Sequence, residues 1–378
     1  MAFEQIRKVI SGDGPGRETT LNYYRVGPNN AEKKVYLQAA MHADEQPGIL
    51  VLHHLIKALR QADRDGTLQA QFVIFPMANP LGMANINHRQ HQGRYDPVSG
   101  INHNRGWPDL FPIVQSEIGD TLTQDIEQNK RRIRDLVRNW LTEQPAISAL
   151  QQQRHFIMRE VFDADYVFDL HCDNDSLLHI FALPQHMPEL QSLADWTGAA
   201  ATLVAEDSGG GSFDEVWSTL WTRMRKAHPG VPLPDCYSVT MEYRGQFETF
   251  DEINEDDAER LFCYFQSRGL IQGLPSRKRA VSPPPSDLTA TQVVRAKQPG
   301  LLAYKVALGD IVKKGQTIAD LITIEGDDAF QIRTPIIANT DGLVLSRSIN
   351  KYVWPTKSIA KIVGTETLED RDKYLLED

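Results

Sequence analysis

A histidine and a glutamate three residues apart could bind one metal ion in the first part of this chain. His42 ends an apolar run that is typical of a buried strand, and Glu45 lies in the short turn that follows. Imidazole nitrogen and carboxylate oxygen are both zinc ligands, and a catalytic zinc site takes three protein ligands and a water. After the turn, Pro47 suits the start of a helix, and apolar residues recur at helical spacing over 49–59. The pair could therefore supply two of the three protein ligands.

This spacing does not define a site by itself, because the chain contains it twice. His186 and Glu189 have the same separation around Pro188. We interpret that second pair as a loop and a helix start, since proline favours the first turn of a helix. What distinguishes the first pair is its position at a strand end and the residues that later strands contribute.

Two later segments contain residues that could complete the site. The apolar run 164–171 ends at His171, and the run 237–243 contains Glu242. In open α/β sheets, ligands bind outside the carboxyl ends of the strands, so residues far apart in sequence can converge there. The two histidines and Glu45 would then form a three-ligand zinc site. The remaining glutamate could take a proton from the metal-bound water and pass it to a leaving amine.

Each of these residues also has an ordinary structural interpretation. His171 on an apolar strand could be a buried core histidine, and Glu242 could be the ion-pair partner of Arg244. Cys172 beside a metal ligand is more typical of a buried, unreactive thiol than of a nucleophile. We favour the ligand interpretation of the histidine because it occurs together with the other motifs.

The composition is ordinary for a globular protein and excludes some partners. Among 378 residues, Lys and Arg number 40 and Asp and Glu number 50, and the net charge of −10 argues against a nucleic-acid surface. No apolar run approaches the length that crosses a bilayer, and the first residues lack the apolar core of a signal peptide. The three cysteines lack C-x-x-C spacing, which fits a reducing compartment. We therefore expect a cytoplasmic protein, and the sequence is compatible with a homo-oligomer.

The chain is predicted to contain two domains. In residues 1–274, the first strand and helix are followed by an apolar strand over 71–77, which together make a parallel α/β unit. Residues 275–289 are a polar, proline-rich linker. Residues 290–378 have short strands and glycine turns, which predicts a small all-β domain. In the first domain, the loop 209–211 lacks the lysine of a phosphate-binding loop, so we interpret it as a mobile segment and candidate lid.

Five separated motifs carry a resemblance to a known family. They are residues 42–45, 79–82, 94–105, 169–171 and 241–245. In this order they resemble the succinylglutamate desuccinylase/aspartoacylase family, a branch of the zinc carboxypeptidase superfamily. The resemblance implies an α/β fold, namely an α/β/α sandwich with a mixed, largely parallel central sheet, followed by a small all-β domain.

The resemblance also implies seven site residues. They are the zinc ligands His42, Glu45 and His171, the catalytic residues Glu242 and Arg94, and the substrate-binding residues Asn104 and Arg105. One zinc ion is expected per chain. The catalytic glutamate would act first as general base and then as general acid. The catalytic arginine, for which Arg89 is a nearby competitor, would polarise the scissile carbonyl and stabilise the oxyanion. The second arginine has the fork geometry that suits a substrate carboxylate.

Three residues depart from the family pattern. The Asp-Leu that usually precedes the Asn-Arg pair is Asn102-His103 here, and the glycine after the first ligand histidine is Ala43. These changes leave the implied metal chemistry intact, and they leave the substrate open.

The C-terminal module resembles a lipoyl- or biotinyl-type β domain. The resembling segments are 309–319, 334–335 and 341–344. The tip of the expected hairpin, 324–330, contains no lysine, so we predict neither lipoylation nor biotinylation. The family resemblance implies instead that this module packs beside the active site and narrows access to it.

These features predict a zinc-dependent amidohydrolase, a deacylase. Glutamate-assisted attack of zinc-bound water would hydrolyse the linear amide bond of an N-acyl amino acid or similar small carboxylate. Two alternatives stay open: a zinc metallocarboxypeptidase acting on peptide C-termini, and a noncatalytic binding protein in which the β module is a docking domain. We expect a small N-acylated carboxylate as partner, with no nucleic acid and no membrane.

Overall fold

The computed structural model describes residues 3–369, which form a large central sheet with helices, two smaller sheets near the C-terminus and one two-stranded sheet. The elements of the first part are, in chain order, β1 (Glu4–Ser11), β2 (Glu18–Val26), β3 (Lys33–Ala39), α1 (Pro47–Arg64), β4 (Ala70–Phe75), α2 (Pro80–Met83), β5 (Ile86–Asn87), β6 (Gln90–His91), α3 (Leu110–Ile118), α4 (Ile126–Glu143), α5 (Ala149–Val161), β7 (Tyr166–Asp173), β8 (Asp175–Ser176), β9 (His179–Ala182), α6 (Met187–Thr197), β10 (Ala201–Val204), α7 (Phe213–Ala227), β11 (Tyr237–Gly245) and α8 (Asp251–Ser267). They are followed by β12 (Ser286–Asp287), β13 (Thr291–Arg295), β14 (Gly300–Tyr304), β15 (Ile311–Val312), β16 (Thr317–Ile322), β17 (Arg333–Ile337), β18 (Gly342–Arg347), β19 (Tyr352–Val353) and β20 (Ser358–Val363). Short 3₁₀ turns lie at Pro184–His186 and Leu288–Ala290. No helix in this described part is long and apolar enough to cross a membrane.

The central sheet is mixed and mostly parallel. Over residues 3–369 it has nine strands, in the order β1-β2-β4-β3-β7-β11-β9-β10-β12. Parallel pairs run from β4 through β3 and β7 to β11, and again from β9 through β10 to β12. The pairs β1–β2, β2–β4 and β11–β9 are antiparallel. This topology confirms the predicted α/β fold with a mixed, largely parallel central sheet.

Helices cover both faces of the sheet because successive strand residues point to opposite sides. In β3, Val35, Leu37 and Ala39 pack into the core formed with α1, α6 and α8, whereas Tyr36 packs into the core formed with α3, α4, α5 and α7. Parallel strands buried on both faces are apolar almost throughout, as this strand is. The predicted α/β/α layering is therefore confirmed.

Helix α1 follows the turn that carries the first two candidate ligands, and it packs against the central sheet. Pro47 occupies its first turn, and its buried residues are spaced for one face: Val51, Leu52, Leu55 and Leu59. The helix approaches the sheet closely at Gly48, where a Cβ atom would lie 2.9 Å from the Cβ of Leu170 and 3.1 Å from the Cβ of Ala39. Glycine at this position is therefore a packing requirement.

The C-terminal module contains two antiparallel sheets within the described residues. Their strand orders are β13-β20-β18-β15 and β17-β16-β14-β19. The first sheet continues into the amino-terminal part of the chain, since β18 pairs with β8 at Ser346 with Ser176 and at Arg347 with Asp175. Strand β12, which lies within the predicted linker, pairs with β10 at the edge of the central sheet. The module is thus hydrogen-bonded to the rest of the chain, and the exact domain boundaries stay a prediction.

We predict that Gly48→Val destabilises the protein by about 1–3 kcal/mol, because the added side chain overpacks the contact with β7. Denaturant unfolding of the metal-free protein measures this change. Lys57→Val, on the exposed side of the same helix, is the control and should cost less than about 0.7 kcal/mol. Equal stability of the glycine variant and the wild type would contradict the close approach.

Candidate metal centre and catalytic pocket

Three buried side chains converge near the carboxyl ends of β3 and β7. His42, Glu45 and His171 each offer one ligand atom, and these atoms all lie within 4.8 Å of one another. The strands are parallel neighbours in which Ala39 pairs with Leu170, so the turn after β3 comes beside the end of β7. The structure therefore brings together the three ligands predicted from the sequence.

Both imidazoles turn Nδ1 toward the carboxylate of Glu45. His42 Nδ1 lies 3.0 Å from Oε1, and His171 Nδ1 lies 2.7 Å from Oε2. The opposite ring nitrogens face other groups, at 2.8 Å from Asn102 Oδ1 and 3.0 Å from Asp169 Oδ2 respectively. Metal-binding histidines usually have such a partner on the second nitrogen. The donor set, two imidazole nitrogens and a carboxylate, fits a divalent metal ion of the zinc type.

The buried carboxylate of Glu45 is surrounded by cationic groups. Burial alone would raise its pKa, but His42, Arg94 and His171 hold the pKa well below its usual value. The guanidinium of Arg94 forms an ion pair with this carboxylate, and the backbone N–H of Cys172 donates to it at 3.3 Å. The group is therefore ionised although buried, as a carboxylate ligand must be.

Glu242 lies beside the ligand cluster at the same edge of the sheet. In β11 it is the register partner of His171, and among the described residues its Oε2 atom is buried without a hydrogen-bond partner. Burial and the charge of Glu45 raise the pKa of Glu242 to about 8. Arg244 pairs instead with Asp257, at 2.5 and 3.0 Å, so it does not neutralise the pocket glutamate.

Arg94 reaches the pocket from the long segment after β4. Burial opposes its charge, but the carboxylates of Glu45, Asp44 and Glu242 together raise the pKa of this guanidinium. Its competitor Arg89 is exposed, in the turn between β5 and β6, with a φ of 66°. Arg94, and not Arg89, lines the cavity that contains the ligand cluster.

The predicted substrate-binding pair lies against the start of α7. Asn104 Nδ2 is 3.3 Å from His171 Nε2, and its Oδ1 accepts a hydrogen bond from the Phe213 backbone N–H at 3.0 Å. The guanidinium of Arg105 donates to the Asn104 carbonyl at 2.9 Å. At Gly210, where φ is +84°, a Cβ atom would lie 2.7 Å from Arg105 Cδ. The glycine backbone therefore packs directly on the arginine stem.

The glycine loop is hydrogen-bonded to the segment that follows the predicted substrate-binding pair. The Gly106 N–H donates to the Gly210 carbonyl at 2.9 Å, and the Trp107 N–H donates to the Gly211 carbonyl at 3.1 Å. All three loop glycines have positive φ, which residues with a side chain rarely adopt. The loop forms a wall of the pocket in this conformation, and its role as a lid stays a prediction.

The seven predicted site residues all line one cavity of about 560 Å³. That volume is typical of small-molecule sites. The C-terminal module contributes part of the wall, through Ile349, Asn350, Trp354, Lys357 and Lys361. The last of these donates from Nζ to Asp173 Oδ2 at 2.7 Å. Residues of both parts of the chain thus enclose the candidate site.

Some pocket residues were missed by the sequence analysis. Asp214 and Glu215 line the cavity at the start of α7, and burial, with the charge of Glu215, raises the pKa of Asp214 to about 7. Acidic residues in the first helical turn are common for electrostatic reasons, so their pattern indicated nothing more. Lys361 had no local signal, because its pairing depends on strands of two modules. Cys172 is buried, and burial raises the pKa of its thiol, as expected for an unreactive cysteine.

Comparison with protein families agrees with the geometry of the site. The Succinylglutamate desuccinylase/Aspartoacylase catalytic domain model matches residues 31–214, a span that contains the three candidate ligands. Residues 31–214 of the chain belong to the succinylglutamate desuccinylase/aspartoacylase family. The family consists of hydrolases that act on carbon–nitrogen bonds. No curated protein matches the chain.

Solved structures share the fold along nearly the whole chain. A Shewanella frigidimarina NCIMB 400 protein assigned to succinylglutamate desuccinylase/aspartoacylase is 22% identical, with a TM-score of 0.81, and the match covers 96% of this chain and 97% of that one. A family protein from Shewanella amazonensis SB2B is also 22% identical, with a TM-score of 0.79 and coverages of 95% and 98%. The product-bound ectoine utilization protein EutE (DoeB) from Ruegeria pomeroyi is 18% identical, with a TM-score of 0.67 and coverages of 97% and 96%. At these identities the likeness shows a common fold, including the C-terminal sheets.

We predict that the purified chain binds one zinc ion and that His171→Ala weakens zinc affinity by more than about 100-fold. Removing a hydrogen-bond partner of a ligand typically lowers metal affinity by about 10–100-fold, and removing the ligand itself should lower it further. Titration calorimetry on metal-free protein measures both the stoichiometry and the affinity. His88→Ala removes an exposed histidine of the nearby loop and should leave both unchanged. A wild type without zinc affinity would refute the site and would favour the noncatalytic interpretation.

Proposed function

We propose that this protein is a zinc-dependent deacylase that hydrolyses the linear amide bond of an N-acyl amino acid or a similar small carboxylate. The proposal rests on one observation above all. A cluster of three buried ligand atoms shares its pocket with Glu242, whose buried Oε2 atom has no hydrogen-bond partner among the described residues. A metal ion and a proton-transfer group side by side are what hydrolysis of an unactivated amide needs.

His42, Glu45 and His171 would hold the metal ion. When bound, zinc supplies Lewis acidity, which polarises an amide carbonyl and lowers the pKa of water. The contacts behind the two imidazoles keep their Nδ1 atoms directed at the common point, so little rearrangement is needed. Such pre-orientation of ligands is typical of functional metal sites.

Glu242 is proposed to move the proton. Its carboxylate takes a proton from the attacking water and later releases it to the nitrogen of the leaving amine. Burial and the charge of Glu45 raise the pKa of Glu242 to about 8, close to the range in which one carboxyl group can both accept and release a proton. No other side chain has to approach the leaving nitrogen in this scheme.

Arg94 is proposed to stabilise the negative charge that develops on the carbonyl oxygen. Its guanidinium lies next to the Glu45 carboxylate, on the same side of the cavity as the metal ligands. It is charged at all relevant pH values, so it is ready before the reaction begins. Fixed donors aimed at a developing oxyanion are among the strongest catalytic contributions.

Asn104 and Arg105 are proposed to bind the carboxylate of the substrate. The guanidinium offers two parallel donors, and the glycine loop packs along its stem. The wall contributed by the C-terminal module limits the cavity to about 560 Å³. A small acylated amino acid fits a cavity of that size, whereas a longer peptide needs a more open groove. This favours deacylation over carboxypeptidase activity.

We predict that Glu242→Gln lowers kcat by about 10²–10⁴-fold and leaves zinc affinity unchanged, because the amide retains the shape but cannot transfer the proton. Hydrolysis of N-acetyl amino acids, N-succinyl amino acids and short peptides should be followed for both proteins. A fully active variant would contradict the mechanism. Turnover of the peptides alone by the wild type would favour the metallocarboxypeptidase instead.

We predict that Gly210→Ala raises KM by about 10-fold or more with little change in kcat, because the new methyl group displaces the Arg105 side chain that binds the substrate. Gly230→Ala is a matched control, since Gly230 has a φ of +85° with no atom within 4 Å of its Cβ position. Steady-state kinetics on the best substrate measure the effect. An equal rise of KM in both variants would trace it to backbone strain and not to the arginine.

A further inference from the structure

One neutral side chain holds the first ligand histidine in place. Asn102 is 7% exposed, and its Oδ1 atom lies 2.8 Å from His42 Nε2 and 2.9 Å from the backbone nitrogen of Asn104. Since this oxygen can only accept hydrogen bonds, the histidine must carry its proton on Nε2. Nδ1, which faces the Glu45 carboxylate, is then the nitrogen that can give up its proton and bind a metal. Asn102 therefore selects the tautomer that can bind a metal.

The second ligand histidine has a charged partner in the equivalent position. His171 Nε2 lies 3.0 Å from Asp169 Oδ2, and the other oxygen of that carboxylate accepts a hydrogen bond from Gln38 at 2.9 Å. A carboxylate partner makes an imidazole a stronger donor to metal than an amide partner does. The two ligand histidines are thus supported by groups of different charge.

The amide at position 102 is not explained by hydrogen bonding alone. Its Nδ2 donor is buried without a hydrogen-bond partner among the described residues, and a buried unpaired donor is unfavourable. An aspartate has the same shape and could accept both existing hydrogen bonds, but its second oxygen would replace the Nδ2 donor as a buried atom without a partner among the described residues. The difference that remains is one negative charge.

That charge would join an already acidic environment. The cavity lining contains more carboxyl groups than cationic groups, namely Asp44, Glu45, Asp173, Asp214, Glu215 and Glu242 against Arg94, Arg105, Lys357 and Lys361, and Asp169 lies behind His171. The proposed substrate brings a carboxylate, and the reaction develops a further negative charge on the carbonyl oxygen. An additional carboxylate behind His42 would oppose both.

We infer that Asn102 is a positioning residue that fixes His42 as an Nδ1 ligand through a neutral acceptor, and that it thereby keeps metal affinity below the value that aspartate would give. This inference rests on one part of the proposed function, namely that the three ligands bind a metal ion. A metal ion held there would be more electron-poor with a neutral acceptor behind His42 than with a carboxylate, which would suit an anionic substrate. The cost is a less tightly held metal.

Two substitutions of similar size separate charge from shape. Asn102→Asp keeps both accepted hydrogen bonds and adds the charge, so zinc affinity should increase about 10-fold. Asn102→Leu removes the acceptor, so zinc affinity should decrease by about 10–100-fold. Asn87→Asp adds the same charge at an exposed position and should change nothing. Chelator competition on metal-free protein measures the zinc affinity, and thermal unfolding checks that each variant is folded.

A spectroscopic measurement distinguishes positioning from general loss of structure. The ¹⁵N shifts of histidine-labelled, metal-free protein report which ring nitrogen is protonated, and the His42 signal is identified by its loss in His42→Gln. We expect protonated Nε2 in the wild type and in Asn102→Asp, and a mixture of tautomers in Asn102→Leu.

Opposite shifts of zinc affinity in the two variants support the inference. Unchanged affinity in Asn102→Leu, or weaker binding in Asn102→Asp, overturns it; if one variant is unfolded, the other decides by the same criterion. These results would leave the proposed function intact, because the wild type would still bind zinc and hydrolyse amides. The proposed function is refuted by a different result, namely a wild type that does neither.

Discussion

A buried negative charge at Glu45 has to be balanced by groups from three separate segments of the chain. A carboxylate removed from water is tolerated only where hydrogen bonds and opposite charges replace its hydration. Here His42 comes from the turn after β3, His171 from β7, and Arg94 from the long segment after β4. The parallel alignment of β3 with β7 makes this convergence possible, because it brings both strand ends to one edge.

The same edge explains the catalytic pocket as a whole. Strand β11 is the parallel neighbour of β7, so Glu242 lies level with His171. The loops that leave this edge carry Arg94 and the Asn104–Arg105 pair, and α7 begins against them. Chemistry is therefore concentrated where the helices no longer cover the sheet, as is general for α/β proteins. The C-terminal module then closes the side that would otherwise be open.

Much of this arrangement could be predicted from the sequence, because strand cores and strand ends leave local patterns. The apolar runs identified β3, β4, β7 and β11, and the helical spacing over 49–59 identified α1, observed as Pro47–Arg64. His42, His171 and Glu242 were recognisable because they follow or end such runs. Motif order then supplied Arg94, Asn104 and Arg105, which lie in a segment without any periodic pattern.

Other features depend on the path of the chain and could not be predicted. Asn102 was visible only as a departure from the family pattern, since its contact with His42 depends on how the segment after β4 folds back. The pairing of β8 with β18 joins two short strands that have no distinctive composition. The contact of Lys361 with Asp173 could not be predicted either, because it depends on how strands from two distant parts of the chain come together. Long-range pairings of this kind follow from the whole fold.

The bonds between the two modules also determine when the pocket is complete during synthesis. Asp173 and Lys361 are 188 residues apart, and Asp175 and Arg347 are 172 residues apart. Domains fold largely as units as they leave the ribosome, amino-terminal part first. We therefore expect the nascent chain to assemble its metal-ligand cluster before the ribosome has released the strands that close the pocket. Until β18 and β20 emerge, the carboxylates of Asp173 and Asp175 lack their lysine and arginine partners, and the cavity stays open on that side.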